Sequence, residues 1–184
     1  MMEKNTHKSL TVVQVLPALN SGGVERGTLE ISEYLVSKNH RSLVISAGGR
    51  MTQKLVQTGG EHYELPIGEK SLLTLRIIPK LIDILKKNDV DVIHIRSRFP
   101  AWICFIAIKF MPKRIRPSVV TTFHGPYSIN RYSAIMAKGD AVIAVSKMIK
   151  IYISKNYKIN SKRIFLNYRG VDEREFPYLF KPKK

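Results

Sequence analysis

Leu10-Thr11-Val12-Val13-Gln14-Val15-Leu16-Pro17-Ala18-Leu19-Asn20-Ser21-Gly22-Gly23-Val24-Glu25-Arg26 is the stretch that decides the fold. Leu10, Val12, Val13, Val15 and Leu16 form a nearly continuous apolar run rich in β-branched residues, the pattern of a strand buried on both faces. Pro17 ends the run and the residues up to Gly23 turn the chain. The spacing then becomes helical: Val24, Leu29, Ile31, Leu35 and Val36 are apolar, with Glu25, Arg26, Glu30 and Glu33 between them. A parallel strand that feeds a helix through glycines is where doubly wound α/β folds receive an anionic ligand. Adjacent glycines let the backbone approach that ligand without a Cβ in the way, and the helix N-terminus supplies free N–H donors.

Two well-known phosphate loops do not fit. Gly22 and Gly27 have the P-loop spacing, but Thr28 follows where a P-loop needs lysine. The dinucleotide pattern needs three spaced glycines, and here they stand at 22, 23 and 27. On the glycines alone, a tight strand-to-helix turn without a ligand fits equally well.

Outward from this unit the same alternation continues. Apolar runs at 41–46, 62–65, 91–97, 119–123, 141–145 and 164–166 read as further strands. Helical spacing occupies 54–58, 71–87, 100–111, 131–138 and 147–157, and Pro79 inside the third helix predicts a kink. Strand and helix in turn specify an α/β fold, a doubly wound, mostly parallel sheet of about seven strands with helices on both faces. No repeat, low-complexity segment or internal linker interrupts it, so one domain is expected.

Composition narrows the function classes. The 184 residues suffice for one domain with a sizeable core, and 44% hydrophobic with 24% charged residues is ordinary for a globular protein. The first ten residues are polar and lack the form of a secretory leader. The longest apolar stretch, residues 99–108, is too short to span a bilayer. The single cysteine, Cys104, lies in that stretch, where an inert core thiol is expected, and it excludes an internal disulfide. The net charge of +17 directs the chain toward polyanions: a membrane face, phosphorylated substrates or nucleic acid. Nucleic acid ranks last, because neither an aromatic-studded RNA motif nor a zinc-finger spacing is present.

In an open parallel sheet, ligands sit beyond the carboxyl ends of the strands. The residues there are Gly22 and Gly23, then Gly48 and Gly49, then His94, Arg96 and Ser97, then His124 and Gly125, then Ser146. Glycines, imidazoles, a guanidinium and hydroxyls on one edge suit a phosphorylated, hydroxyl-rich ligand. His94 alternates with apolar neighbours, so a core histidine and a ligand contact both fit. Arg96 and Arg98 fit a solvated face equally well. The Gly-x-Ser-x-Gly elbow, the His-Glu-x-x-His helix and paired-cysteine metal sites are all missing, so no metal site is expected.

The wording of four segments resembles glycosyltransferase family 4. The first is the segment from Pro17 to Arg26, with Glu30 and Leu35 on the following helix. Thr121-Thr122-Phe123-His124-Gly125 is similar to the family's Thr-x-His-Gly region, and residues 141–146 to its strand ending in serine. Arg169-Gly170-Val171-Asp172, followed by Phe176, resembles its Asn-Gly-Val-Asp-x-x-x-Phe segment, with Arg169 in place of the asparagine. Glu25 and Glu33 share the spacing of the family's glutamate pair, but that pair belongs to the C-terminal half, so the match is coincidental.

The resemblance implies a Rossmann-like domain over residues 9–176, one half of a GT-B architecture. A tail would occupy 1–8 and an interdomain linker would begin at 177–184, with the C-terminal donor-binding domain absent. It implies sugar transfer from a nucleotide-sugar to a saccharide or lipid-linked acceptor in cell-envelope synthesis, with retained configuration, no metal and no bound cofactor. It places His124 at the transferred sugar, the N–H groups of Gly22 and Gly23 near the donor diphosphate, and His94, Arg96, Ser97 and Gly125 along the acceptor cleft. The isolated chain would be inactive, with a separate C-terminal half as its partner.

Residues 100–111 are apolar nearly all round and precede Lys113, Arg114 and Arg116. A helix packed hard on the sheet is the first reading. The other is an interfacial segment that dips Trp102 and Phe105 into lipid with the basic cluster on anionic head groups, giving a cytoplasmic protein peripheral to the inner membrane face. That reading also frames the alternative function, a non-catalytic basic module docking on an anionic membrane or a partner chain.

Overall fold

The computed structural model describes residues 8–170. Seven strands form one sheet: β1 (Thr11–Val15), β2 (Arg41–Ser46), β3 (Glu61–Glu64), β4 (Val92–Ile95), β5 (Ser118–Phe123), β6 (Ala141–Ala144) and β7 (Ile164–Leu166). Their order is β3-β2-β1-β4-β5-β6-β7, and every pairing is parallel. The order reverses between β1 and β4, the point at which a doubly wound sheet opens a crevice at its carboxyl edge.

Six α-helices connect the strands: α1 (Gly23–Ser37), α2 (Thr52–Gln57), α3 (Ile78–Lys87), α4 (Arg98–Phe110), α5 (Arg131–Ala134) and α6 (Lys147–Asn156). The strand period of two divides the sheet into chemically different faces. Val13, Val15, Leu43, Ile45, Ile93 and Ile95 join side chains of α3, α4 and α6 in one large apolar cluster. A smaller cluster on α1 and α2 holds Leu16, Leu19, Leu29, Val44 and Leu55. The buried polar residues Gln14, Ser42, Ser46 and His94 alternate with the members of the larger cluster, so they lie on the face beneath α1.

The expected helix over 71–87 is two elements. Residues Leu72–Ile77 form a 3-10 turn whose N-cap, Ser71, accepts from the Leu73 N–H at 3.1 Å, and α3 begins only at Ile78. Pro79 falls in the first turn of α3, so it starts that helix rather than kinking a longer one. A proline there removes no needed donor, whereas in the interior it would clash with the carbonyl of Leu75. The expected apolar stripe breaks with it: Leu81 and Leu85 are buried, but Leu72 is 86% exposed.

The loops after β1 and β2 are joined to each other. Leu19 N–H donates to the Gly48 carbonyl and Met51 N–H to the Leu19 carbonyl, both at 2.8 Å. Gly49 has φ of +143°, and a Cβ there would lie 2.5 Å from the Leu19 carbonyl carbon. Gly49 thus admits the Leu19 backbone, and Gly48 accepts from it. We expect Gly49→Ala to cost about 2 kcal/mol or more through left-handed strain and this clash, lowering Tm by about 4–8 °C. Thermal unfolding by circular dichroism measures it, and an unchanged Tm would show that the two loops are not locked together.

Candidate functional site

At the switch point β1 contributes Gln14 and β4 contributes His94 and Arg96. Gln14 and His94 are register partners, and the even-numbered residues of both strands share the face beneath α1. Arg96 follows β4, its N–H donating to the Val15 carbonyl at 2.9 Å. Its side chain is only 4% exposed and donates Nη1–H to Gln14 Oε1 at 3.0 Å. Gln14 is fully buried and donates Nε2–H to the Thr28 carbonyl at 2.9 Å, which fixes its amide so that the oxygen faces Arg96. Gln14 escapes a reading of the strand as continuously apolar; a lone polar residue among Val12, Val13 and Val15 was the sign of it.

Gly27 makes room for the guanidinium. A Cβ at Gly27 would stand 3.1 Å from Arg96 Nη2 and 3.2 Å from Arg169 Nη2. Arg169, which follows β7, also donates Nη2–H to the Gly23 carbonyl, and a Cβ at Gly23 would lie 2.7 Å from its Nη1. The glycines at 23 and 27 therefore admit two arginines against the start of α1. The remainder of the family-like segment, Val171, Asp172 and Phe176, lies outside the described residues.

The two histidines differ in how they are satisfied. His94 is buried and shares a 2.7 Å hydrogen bond between Nε2 and Thr122 Oγ1. His124 follows β5, and among the described residues neither of its buried ring nitrogens has a hydrogen-bond partner. Burial lowers the pKa of His94 to about 3, with Arg96 and His124 adding to it. Burial, then the charges of Arg96 and Arg169, lowers His124 to about 3 as well. Arg96 is lowered to about 10 by burial and by Arg169, against the raising effect of Glu30 and Glu25, and so stays charged. These groups line a cavity of about 130 Å3 with Gly27, Glu30 and Ile31 of α1, Thr122 of β5, Ile143 and Val145, and residues 167–170.

The structure thus brings His94, Arg96 and His124 into one cavity. Gly22 and Gly23 border a separate surface hollow with Asn20, Arg50 and Met51. Ser97 is the N-cap of α4 and does not line the cavity. Gly125 has open space where a Cβ would stand. Trp102 and Phe105 are half-buried against the larger cluster, and the Trp102 indole N–H donates to the Tyr132 carbonyl at 3.1 Å. The apolar side chains that stand free near Lys113 and Arg114 are Phe110 and Ile115, while Arg116 donates to the Met111 and Lys109 carbonyls and caps α4. Cys104 is fully buried with its thiol pKa pushed up, an inert core residue.

Both histidines should stay neutral across the neutral range. Each has a folded pKa near 3 against about 6.5 unfolded, so the unfolded chain takes up protons first as pH falls. Their neutral burial supports stability above pH 6.5, and each histidine should remove about 1.4 kcal/mol per pH unit as pH falls from there toward 3. Ring proton shifts of His94 and His124 that titrate between pH 6 and 7 would refute this environment.

Comparison with known proteins agrees with this architecture. A family model described as Glycosyltransferase Family 4 matches residues 21–175. No curated protein matches the chain. A glycosyltransferase from Rickettsia africae is 37% identical with a TM-score of 0.79, covering 93% of this chain and 46% of its own. Anabaena HepE in complex with UDP and glucose is 17% identical, with a TM-score of 0.71 over 90% of this chain and 46% of that one. The lipopolysaccharide outer core galactosyltransferase WaaB is 15% identical, with a TM-score of 0.65 over 88% and 46%. The chain spans about half the length of each, and the last two likenesses show the fold alone. With the family model over most of its length and a parallel sheet built like theirs, the chain belongs to glycosyltransferase family 4.

Proposed function

We propose that this chain is the acceptor-side half of an enzyme that transfers a sugar from a nucleotide-sugar to a hydroxyl of a saccharide or lipid-linked saccharide. Configuration is retained, no metal is required, and the product belongs to the cell envelope. Family membership supports transfer, and HepE, of the same fold, holds UDP and glucose. The observation that carries the role of this half is His124, which lines the cavity at the switch point and whose two buried ring nitrogens have no hydrogen-bond partner among the described residues. Buried polar atoms are nearly always satisfied, and a sugar hydroxyl satisfies an imidazole on either side.

The pKa decides what His124 does. A ring with a pKa of about 3 is neutral at pH 7 and a poor base, so it orients the transferred sugar by hydrogen bonding rather than abstracting a proton. The backbone N–H groups at Gly22 and Gly23 offer the donor diphosphate the positive end of α1, which contributes at most about 2 kcal/mol. That is far short of micromolar affinity, about 8 kcal/mol. The donor therefore relies on a C-terminal half, and this chain alone is inactive.

Co-expression with a C-terminal half, followed by a product assay, tests the reading. His124→Ala should lower turnover about 10–100-fold, the worth of one to two hydrogen bonds lost in the transition state. Its Tm should stay level or rise, because the wild-type ring nitrogens have no partner within the described chain. A mutant that unfolds early yet turns over normally per folded molecule would make His124 structural. Robust transfer by the 184-residue chain alone would refute the half-site reading.

Membrane attachment belongs to the same proposal. The net charge of +17, with exposed Phe110 and Ile115 beside Lys109, Lys113 and Arg114, suits the anionic inner face of a membrane. No helix among the described residues is long and apolar enough to cross a membrane. Flotation should show binding to anionic vesicles that falls clearly by about 0.5 M salt, where the screening length is well under the roughly 8 Å of physiological salt. Equal binding to neutral vesicles would remove the membrane from the proposal.

A further inference from the structure

Arg96 and Arg169 bring two guanidinium groups to one point, with Nη2 of each beside the place a Gly27 Cβ would take. Neither is neutralised. Among the described residues Arg96 bonds only to the neutral amide of Gln14, its Nε is buried without a partner, and Arg169 bonds to a backbone carbonyl. Glu25 and Glu30 act on Arg96 only through space, and the ion pairs of the described residues lie elsewhere. A guanidinium 4% exposed is costly without a counter-charge, and a second cation beside it raises that cost. Such an arrangement is relieved by an anion with several acceptor oxygens, since the planar fork of arginine matches phosphate in a bidentate way.

We infer that Arg96 and Arg169 clamp a phosphate group carried by the acceptor saccharide, an assignment that rests on the acceptor-side role proposed above. The phosphate sits against the Arg96 and Arg169 guanidinium groups, and His124 lies in the same cavity for an adjoining hydroxyl. The cavity of about 130 Å3 has room for a phosphate and part of a sugar, well below the roughly 300 Å3 at which pockets begin to enclose larger ligands. The diphosphate of a nucleotide offers the same oxygens, and the acceptor-side role proposed above favours the phosphorylated sugar. Arg169 stands where the segment it resembles has asparagine.

The test titrates the 184-residue chain at low salt by calorimetry with inorganic phosphate, glucose 6-phosphate, glucose and pyrophosphate, following the His124 ring signals in parallel. Phosphate and glucose 6-phosphate should bind saturably and shift those signals, and glucose should not. Arg169→Asn, at an exposed position, should keep the Tm and weaken binding of both about tenfold or more. Lys158→Ser, which removes an equal charge elsewhere on the exposed surface, should leave it unchanged. Absence of saturable phosphate binding, or equal weakening by Lys158→Ser, overturns the clamp. Binding of pyrophosphate without glucose 6-phosphate overturns its assignment to the acceptor. Sugar transfer by the two-half enzyme with no phosphate site overturns the clamp and leaves the enzyme reading intact. A phosphate site without any transfer does the reverse.

Discussion

The carboxyl edge of this sheet depends on how one charged side chain is kept out of water. Arg96 stays ionised although buried, and three elements cooperate to hold it. β1 supplies Gln14, whose amide is oriented by the Thr28 carbonyl of α1. α1 supplies Gly27, where a methyl group would press on the guanidinium. β4 supplies Arg96 itself through a parallel pairing that sets His94 beside Gln14. A change at any of the three would strand a charge or a buried amide, and the cost of an unsatisfied polar group exceeds the gain from a satisfied one. The strand-to-helix turn is therefore fixed by packing as well as by glycine flexibility.

That charge sets the chemistry of its neighbours. Burial first, and then the nearby charges of Arg96 and Arg169, keep the His124 ring neutral. Neutral imidazole and charged guanidinium thus line one cavity, with the Glu30 carboxylate on its wall. Two charge-assisted hydrogen bonds are worth about 3–6 kcal/mol, against about 4 kcal/mol for millimolar binding. On the proposed reading, a half-site of this kind holds a substrate fragment weakly and gains selectivity once the other half closes on it.

The fold was legible because its rules are local. Each buried parallel strand is an apolar run, each crossover helix has its own period, and the turns carry glycine or proline. The exception is instructive: Leu72, Leu75 and Ile78 keep a helical period across a position where Pro79 forces a new start, so spacing alone joined two elements. The site was legible in part. His94, Arg96 and His124 stand at strand ends, and topology gathers strand ends. Gln14 was hidden by its apolar neighbours. The meeting of Arg169 with Gly23 and Gly27 spans most of the chain and has no local trace, since nothing near Arg169 in sequence says which helix it reaches. The role of Gly49 was hidden likewise, because the Leu19 backbone it accommodates belongs to another loop.

The positive charge of this chain works at two ranges. Most of the lysines and arginines are exposed, and their attraction for a polyanion is collective, long-ranged and weakened by salt. Arg96 is sealed between β1, β4 and α1, where counter-ions reach poorly and an effective dielectric well below that of water strengthens each contact. Surface charge can draw an anionic partner from any direction but has no geometry with which to choose among anions. The guanidinium pair has fixed donors, fixed spacing and a cavity of limited size, so it can distinguish a phosphate by shape. On the proposed reading the outer charge sets where the molecule resides, and the pair formed by buried Arg96 and exposed Arg169 sets which group enters. Because screening acts on the first far more than on the second, the two contributions can be separated by salt.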